Sequence, residues 1–271
     1  MSLGVVAQRG NDEAVELAGQ IRASFPDGSV CVDAETGDVL DIPGEPVTAL
    51  DECDLVVSIG GDGTFLFVAR HIGSTPIMGI NLGEVGFLTA ISPSESLAVV
   101  QEGYKQARAG TLAVRERPRL VASGANGTLD PVLNELMVHA PQRGPKTGIT
   151  ATIAVNGEEY DQSAVDGVMI ATPTGSTAYN LSERGPLVAP GVPGMVINQM
   201  CAQGGRPPLV VPLDATVTVH VTSSDFAYIV GDGRTQDEID VPGTVTIERA
   251  ADPLHIAGPP VRFFDALDKL S

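Results

Sequence analysis

One aspartate, Asp62, is set among glycines in the stretch SIGGDGTFLF at residues 58–67. The apolar, β-branched run DLVVSI precedes it at 54–59, and TFLFVARHI follows it at 64–72 with apolar residues at helical spacing. This pattern predicts a strand, a glycine-rich turn and a helix, an arrangement that presents backbone N–H groups to phosphate. Because the turn carries a carboxylate and no lysine, the sequence indicates that Asp62 acts as a base or holds a metal ion.

The glycines around Asp62 have a predicted role of their own. Gly60, Gly61 and Gly63 would let phosphate oxygens approach the backbone closely, and Thr64 could cap the following helix. A plain turn is the alternative, because glycine and aspartate are ordinary turn residues. The stretch matches neither the lysine-bearing phosphate loop nor the GxGxxG dinucleotide fingerprint.

A second candidate is the stretch DGVMIATPTGSTAYNLSERGPLVAP at 166–190. Its apolar VMIA segment predicts a strand that leads into a turn with four hydroxyl groups, from Thr172, Thr174, Ser176 and Thr177. Hydroxyls at this density can bind the edges of a sugar or an amide without adding charge. The alternative is a serine- and threonine-rich turn that hydrogen-bonds only to its own backbone.

Two shorter stretches could complete a ligand site. NELMVHA at 134–140 places Asn134 and Glu135 at the start of a strand-like segment, where they could bind a ribose diol. NLGEVGFLT at 81–89 contains Phe87, which could be a core residue or a platform for stacking.

These four stretches, in this order, resemble the NAD kinase family, and RFFDALDKL near the end resembles the closing helix of that family. The glycine-aspartate-glycine string alone is shared with lipid kinases and phosphofructokinases. The combination of TPTGSTAY with an Asn-Glu pair is far more specific. The resemblance implies transfer of the γ-phosphate of ATP, or a phosphate of polyphosphate, to the adenosine ribose 2′-hydroxyl of NAD, which makes NADP.

The same resemblance implies roles for individual residues. Asp62 would be the general base, Gly63 would bind phosphate with its neighbours, and Phe87 would lie against the NAD adenine. Asp166 would reach NAD that is bound by a neighbouring subunit, which implies a homodimer or homotetramer. The remaining residues implied to bind NAD are Asn134, Glu135, Thr174, Thr177, Ala178, Tyr179 and Ser182. Since Asp62 would face polyphosphate, we also expect Mg²⁺ or another divalent cation.

The chain departs from the family pattern at several positions. NQMCAQGGRPPLVVP at 198–212 lacks the histidine segment that usually precedes the Arg-Pro pair, here Arg206 and Pro207. Ala164 replaces a base, and Arg234 in VGDGRTQ at 230–236 replaces an amide side chain. These departures bear on the preference for NAD or NADH more than on phosphoryl transfer.

The order of the elements predicts the fold class. Strands alternate with helices as far as about residue 111, which predicts a doubly wound parallel sheet for residues 1–111. Residues 112–257 are rich in period-2 segments and predict a β-rich domain that binds NAD. The amphipathic segment VRFFDALDKL at 261–270 predicts a helix, with which residues 258–271 return to the first domain.

The composition limits the partners and the environment. Sixteen basic and 34 acidic residues give a formal net charge of −18, which predicts a halophilic protein that needs concentrated salt to screen self-repulsion. Such a chain is a poor partner for nucleic acid or for an anionic membrane. No apolar stretch reaches the length of a membrane span and no signal peptide is present, so we expect a cytoplasmic protein. Its three cysteines, Cys31, Cys53 and Cys201, predict neither a disulfide framework nor a zinc site, and we expect buried thiols.

Two alternatives to the NAD kinase reaction are open from the sequence. One is a kinase of another hydroxyl group, of a lipid or a sugar, built on the same GGDGT stretch. The other is a sensor that binds NAD(H) without turning it over, although a sensor would not need the Asp62 carboxylate.

Overall fold

The computed structural model describes residues 2–83, 86–124, 127–142 and 148–268. The chain forms two compact units, residues 1–117 with 252–271 and residues 118–251. Among the described residues, no helix combines the length and the apolar character that a membrane span requires.

The first part of the chain alternates strands and helices, as predicted. The strands are β1 Leu3–Ala7, β2 Val30–Val32, β3 Leu55–Gly60, β4 Ile77–Asn81 and β5 Val114–Arg117. The helices are α1 Asp12–Ala23, α2 Ala34–Leu40, a 3₁₀ helix Val47–Glu52, α3 Asp62–His71 and α4 Pro93–Arg108. The acidic segment 38–54, whose sequence is loop-like, contains the end of α2 and a 3₁₀ helix.

The middle part of the chain is mostly β. Its strands are β6 Leu120–Gly124, β7 Gly127–Thr128, β8 Glu135–His139, β9 Ile149–Val155, β10 Glu158–Val165, β11 Gly167–Ala171, β12 Gly194–Met200, β13 Leu209–Pro212, β14 Val217–Thr222, β15 Phe226–Gly231, β16 Thr235–Asp240 and β17 Gly243–Arg249. A 3₁₀ helix Gly175–Thr177 and helix α5 Tyr179–Ser182 follow β11. The chain then returns to the first unit with β18 Leu254–Ala257 and α6 Phe263–Leu267.

The first unit is built on one six-stranded sheet with the order β2-β1-β3-β4-β18-β5. The first five strands are parallel, and β5 runs antiparallel to β18. Buried apolar residues such as Val5, Val57 and Ile80 pack against helix residues such as Ile21 and Val100. The predicted doubly wound parallel sheet is thus confirmed.

The second unit contains two antiparallel six-stranded sheets, ordered β10-β9-β14-β17-β6-β7 and β13-β12-β11-β8-β15-β16. Alternate residues of both sheets share one buried core, in which Ile153 and Val219 of the first sheet meet Val138 and Ile170 of the second. The Asn-Gly pair at 156–157, a sequence signal for a hairpin, joins β9 to β10 with φ values of 51° and 84°.

The unit boundaries differ from the predicted domain boundaries by six residues on each side. Residues 112–117 and 252–257, which the sequence pattern assigns to the β-rich domain, lie in the first unit because β5 pairs with β18 there. A period-2 pattern identifies a strand but does not show which sheet it joins. The predicted closing helix at 261–270 is shorter, Phe263–Leu267, and Lys269 and Leu270 lie outside the described residues.

Candidate functional site

Asp62 lies where the third parallel strand gives way to a helix. All six residues of β3 are buried, and α3 begins at Asp62 with Gly61 as its N-cap. The predicted helix start at residue 64 is therefore wrong by two residues, and Asp62 belongs to the first helical turn. A carboxylate in that position interacts favourably with the helix dipole and has a fixed direction.

Three donors hold the Asp62 carboxylate. Its Oδ2 atom accepts a hydrogen bond from the Phe87 N–H at 2.7 Å. Its Oδ1 atom accepts one from the Leu88 N–H at 3.1 Å and one from the Thr89 hydroxyl at 3.0 Å. Because each carboxylate oxygen can accept about two hydrogen bonds, Oδ2 keeps one acceptor position for a substrate group.

Gly86 allows this close approach. A Cβ atom on Gly86 would lie 2.1 Å from Asp62 Oδ1, so a larger residue would displace the carboxylate. Glu84 and Val85, which precede it in the predicted 81–89 stretch, lie outside the described residues.

The three glycines of the GGDG string are not equivalent. Gly60 has a φ of +154°, and a Cβ atom there would lie 2.6 Å from the Thr64 hydroxyl oxygen. A Cβ atom on Gly61 or Gly63 would meet no heavy atom within 4 Å. The space above Gly61 and Gly63 is thus open to a ligand at the N-terminus of α3, where an anion is favoured.

Thr64 has a different position from the predicted one. It is the third residue of α3, and its N–H donates to Gly61 O at 3.1 Å. Within the described part of the chain, no side chain caps this helix. The prediction that Thr64 caps the helix is wrong, because the glycine turn already ends at Gly61.

Phe87 contributes its backbone to the Asp62 site and its ring to an aromatic group. The Phe87 ring centroid lies 6.2 Å from that of Phe263 in α6, and Phe263 lies 5.7 Å from Phe264. The Phe264 side chain is 76% exposed. The role of Phe87 as a stacking platform stays a prediction.

Asn81 is a site residue that sequence reasoning missed. It pairs in register with Gly60 at the carboxyl ends of β4 and β3, and it is buried. Its Oδ1 atom accepts a hydrogen bond from the Gly83 N–H at 3.0 Å. A polar residue directly after a strand of a parallel sheet is the feature that could have identified it.

In the second unit, Asn134 and Glu135 lie beside the hydroxyl-rich turn. Strands β8 and β11 pair antiparallel with Glu135 opposite Ala171, which brings the start of one strand to the end of the other. The Thr172 N–H donates to Asn134 O at 2.8 Å. A Cβ atom on Gly175 would lie 2.0 Å from the same oxygen, so the turn needs glycine at 175. The structure thus joins two of the predicted stretches.

The hydroxyl groups of the turn divide into two kinds. The Thr172 hydroxyl donates to Leu133 O at 2.6 Å, and the Ser176 hydroxyl donates to Pro173 O at 2.7 Å, so both stabilise the turn itself. The Thr177 hydroxyl donates to Thr174 O at 3.2 Å. The buried Thr174 Oγ1 atom has no hydrogen-bond partner among the described residues. Thr174 is therefore the hydroxyl most suited to a ligand.

The residues that follow the turn lie in and beside α5. Ala178, Tyr179 and Ser182 are at its start and end. Asn180, which sequence reasoning missed, is fully buried, and its Nδ2 atom donates to Ser176 O at 3.3 Å and to Pro186 O at 3.1 Å. Asn180 thus holds the turn in place.

Glu135 is a buried acid with an unused oxygen. Glu135 is 7% exposed, and its Oε2 atom has no hydrogen-bond partner among the described residues. Burial, together with repulsion from the Asp232 carboxylate, raises the pKa of Glu135 to about 8. At neutral pH the carboxyl group therefore holds a proton and can donate a hydrogen bond to a ligand.

Asp232 organises this end of β8, and sequence reasoning missed it. Its Oδ1 atom accepts from the Asn134 N–H at 2.7 Å and the Glu135 N–H at 3.3 Å, and its Oδ2 atom from the Leu133 N–H at 3.0 Å. It follows β15 with a φ of 46°, next to Gly233 at 64°. The feature of the sequence that could have identified Asp232 is an Asp-Gly pair directly after a strand.

Replacing Glu135 by glutamine should flatten the pH dependence of stability. The folded chain holds the Glu135 proton up to about pH 8, whereas an ordinary glutamate releases it near 4.5. Between these values the unfolded state binds fewer protons, so the parent loses stability as the pH rises, by on the order of 3–5 kcal/mol. The free energy of unfolding at pH 5 and pH 8.5 in molar KCl measures this.

The matched control is Glu159→Gln, because Glu159 is an exposed glutamate in the same unit. This variant should lose as much free energy of unfolding between pH 5 and pH 8.5 as the parent does. Parallel pH profiles for the parent and Glu135→Gln would contradict the assignment of the buried proton to Glu135.

Asp166 lies away from the other predicted NAD-binding residues. It precedes β11, whereas the hydroxyl-rich turn follows it, and five strand residues separate the two. The distance along the strand is about 20 Å from Asp166 to Thr172. The Asp166 carbonyl accepts from the Ala140 N–H at 3.1 Å, at the His139 end of β8. The structure therefore does not bring Asp166 to the Glu135 site of the same chain.

The segment that departs from the family pattern packs on β10. The Tyr160 hydroxyl donates to Pro207 O, and the Arg206 guanidinium lies 5.5 Å from the centroid of the Tyr160 ring. Gln199 Nε2 donates to Asp161 Oδ2 at 2.7 Å. Gln199 pairs with Val168 near the start of β11, whereas Glu135 pairs with Ala171 at the other end of that strand. The contacts of this segment therefore lie away from Glu135. In the same segment Cys201 is exposed, and Cys31 is half-buried, so of the three thiols expected to be buried only that of Cys53 is.

Comparisons with known proteins agree with this architecture. The model of the ATP-NAD kinase N-terminal domain matches residues 46–106, and that of the C-terminal domain matches residues 133–257. A protein of Natronomonas pharaonis named NAD kinase is 50% identical over 270 residues, and one of Halorubrum lacusprofundi is 49% identical over 275 residues. Both alignments cover 100% of each chain. The two relatives are haloarchaeal proteins, in agreement with the predicted halophilic character.

Two solved structures have the same fold. An NAD kinase from Archaeoglobus fulgidus in complex with ATP has a TM-score of 0.78 and 28% identity, with 100% of this chain and 98% of that chain covered. Yeast NADH kinase complexed with NADH has a TM-score of 0.85 over 100% of this chain and 87% of that chain, but 21% identity, which shows the fold alone. The chain therefore belongs to the NAD kinase family of phosphotransferases.

Proposed function

We propose that the chain transfers the γ-phosphate of ATP to the adenosine ribose 2′-hydroxyl of NAD and so makes NADP. The observation that carries the proposal is the Asp62 carboxylate, fixed by three donors at the start of α3 beside the open Gly61 and Gly63. A fixed carboxylate beside a phosphate-binding helix end is the arrangement that a hydroxyl nucleophile requires. Membership of the NAD kinase family supports the choice of NAD as the acceptor.

Asp62 Oδ2 is the proposed proton acceptor. As the 2′-oxygen forms its bond to the γ-phosphorus, the bond from that phosphorus to the bridging oxygen of ATP breaks, and ADP leaves. The 2′-hydroxyl proton passes to Oδ2, which has the acceptor position that the Phe87 N–H does not occupy. A positioned general base contributes a factor of about 10²–10⁴ to the rate.

The N-terminus of α3 is the proposed site for the donor phosphates. Backbone N–H groups of the first helical turn and the helix dipole favour an anion there, and glycine leaves room for it. In the described part of the chain, no group of three or more His, Cys, Asp or Glu side chains could hold a metal ion by itself. Asp62 supplies one carboxylate to this region, which fits Mg²⁺ bound mainly by the donor phosphates, and such Mg²⁺ would neutralise phosphate charge.

Glu135 and Thr174 are the proposed centre of the NAD site. Both have a buried oxygen atom without a partner among the described residues, and a bound ligand would remove the energetic cost of that arrangement. The protonated Glu135 carboxyl can donate to an adenine nitrogen, and Asn134 can bind a ribose hydroxyl. Thr177, Ala178, Tyr179 and Ser182 are proposed to line the same site.

Asp166 is proposed to contact NAD that is bound by a neighbouring subunit, in a homodimer or homotetramer. A distance of about 20 Å along the strand separates Asp166 from Thr172 of its own chain, which supports this proposal. We further propose a cytoplasmic location, since both substrates of the reaction are cytoplasmic metabolites.

The test is the formation of NADP by the purified protein with ATP, Mg²⁺ and NAD in molar KCl. An NADP-specific dehydrogenase identifies the product, because it does not accept NAD or the 3′-phosphorylated isomer. In parallel reactions, polyphosphate replaces ATP as the donor or NADH replaces NAD as the acceptor. Binding of NAD without any NADP would favour the sensor, and ATP consumption that depends on an added sugar or lipid in place of NAD would favour another acceptor.

A further inference from the structure

The three donors that hold the Asp62 carboxylate are not equally well anchored. Leu88 and Thr89, whose N–H and hydroxyl groups bind Oδ1, are both buried. Phe87, whose N–H binds Oδ2 at 2.7 Å, is only half-buried. The oxygen that is proposed to take the proton is therefore oriented by the least buried of the three donor residues.

The ring of Phe87 is supported from the C-terminal end of the chain. Among the described residues, Phe263 in α6 is the one aromatic side chain in contact with this ring, with the two centroids 6.2 Å apart and the ring planes at 60°. Tilted rings at this separation attract each other beyond the burial of their area. A change at Phe263 would therefore reach the N–H group of Phe87 through the side chain of the same residue.

Helix α6 is fixed to the first unit on both sides of Phe263. Before the helix, the Arg115 guanidinium donates to Gly258 O at 2.6 Å and to Pro259 O at 3.1 Å. Within the helix, Ala266 is buried. Because Arg115 lies in β5 and β18 ends just before Gly258, these contacts tie α6 to the sheet of the first unit.

Phe264 follows Phe263 in the same helix but faces another way. Successive helical residues are about 100° apart around the axis, so two adjacent phenylalanines cannot share one face. The Phe264 side chain is largely exposed, and within the described part of the chain its one aromatic contact is with Phe263. The two residues are thus a matched pair, of which only Phe263 contacts Phe87.

We propose that Phe263 is a positioning residue for the Asp62 base, and that it holds, through the Phe87 ring, the N–H group that orients Oδ2 toward the acceptor hydroxyl. The inference rests on the proposed function and adds to it a residue from the other end of the chain. Phe263 itself touches no reacting atom. Because proton transfer depends on the direction of Oδ2, a displaced carboxylate should slow the chemical step more than it weakens the binding of ATP.

Replacing Phe263 by alanine should lower kcat for NADP formation about tenfold and leave the KM for ATP at the level of the parent. Phe263→Tyr keeps the ring and should keep most of the parent kcat. Phe264→Ala is the matched control and should keep the parent kcat as well. Initial rates in molar KCl with Mg²⁺, over a range of ATP concentrations at saturating NAD, measure these values.

A double-mutant cycle separates positioning of the base from a general loss of structure. In the Asp62→Asn background the base is absent, so Phe263→Ala should cause no further loss of kcat. A similar loss in both backgrounds would overturn the proposal, as would an unchanged kcat in the Phe263→Ala single variant.

Amide exchange tests the same contact without turnover. Deuterium uptake by residues 86–89, followed by mass spectrometry in molar KCl, should be faster in Phe263→Ala than in the parent and in Phe264→Ala. Uptake by residues 55–60 of β3 should be the same in all three proteins, which shows that the sheet is intact. Equal uptake by residues 86–89 in Phe263→Ala and the parent would overturn the proposal. If the parent makes no NADP, the proposed function fails, while the exchange still decides whether Phe263 holds Phe87.

Discussion

Replacing Asp62 by asparagine should lower the rate of NADP formation by a factor of about 10²–10⁴ with little loss of folded protein. The asparagine carbonyl can still accept from the Leu88 N–H and the Thr89 hydroxyl, so the position of the 86–89 segment should be kept. The amide NH₂ group cannot accept a proton and would face the Phe87 N–H, which now donates to Oδ2. Initial rates with saturating ATP, Mg²⁺ and NAD in molar KCl measure the effect.

Asp51→Asn is the matched control for this variant. Asp51 is an exposed aspartate of the same unit whose Oδ1 atom also accepts from a backbone N–H, that of Gly73, at 2.8 Å. It should retain the activity of the parent. Equal activities for Asp62→Asn and the parent would exclude Asp62 as the base, and a large loss in Asp51→Asn would show that the assay reports folding instead.

Replacing Asp232 by alanine should reduce the free energy of unfolding by about 2–5 kcal/mol. Its carboxylate accepts from three backbone N–H groups, those of Leu133, Asn134 and Glu135, all in buried residues. Each buried donor that loses its partner costs roughly 1–3 kcal/mol, and water that enters the space recovers a part of this. Denaturant titration in molar KCl at pH 7 provides the measurement.

The same substitution should have a second, independent effect on Glu135. Without the Asp232 charge the pKa of Glu135 should fall below about 8, although burial would still hold it above its ordinary value. Asp225→Ala, at an exposed aspartate of the same unit, is the control and should change stability by less than about 0.5 kcal/mol. Equal stabilities for the two variants would contradict the role given to Asp232.

Local patterns were sufficient for the parts of the fold that depend on neighbours in sequence. The apolar segment at 54–59, the alternation of strands and helices before residue 111 and the period-2 segments after it follow from periodicity, and all are present in the structure. The start of α3 was misplaced because Gly63 has low helix propensity, whereas the contacts of Asp62 with residues 87–89 fix the first helical turn. Propensity is a weak guide where tertiary contacts fix the backbone.

Only part of the candidate site could be predicted from the sequence. Asp232 and the N–H groups that it binds are 97 to 99 residues apart in sequence, and no local pattern reports such a pairing. Equally, the hydroxyls of Thr172 and Thr174 look alike in sequence, but the first supports the turn and the second has no hydrogen-bond partner within the described part of the chain. Which polar groups remain available to a ligand is a property of packing.

The return of the chain to its first sheet has a consequence for biosynthesis. Because β18 lies between β4 and β5, the sheet that positions Asp62 has a gap until the ribosome has made residue 257. All strands of both sheets in the unit at 118–251 have been made before that point, so this unit can fold before the sheet of the first unit is complete. During that interval the edge of β4 at Ile77 offers unpaired backbone groups, so the nascent chain passes through a stage in which strand-mediated aggregation is a risk.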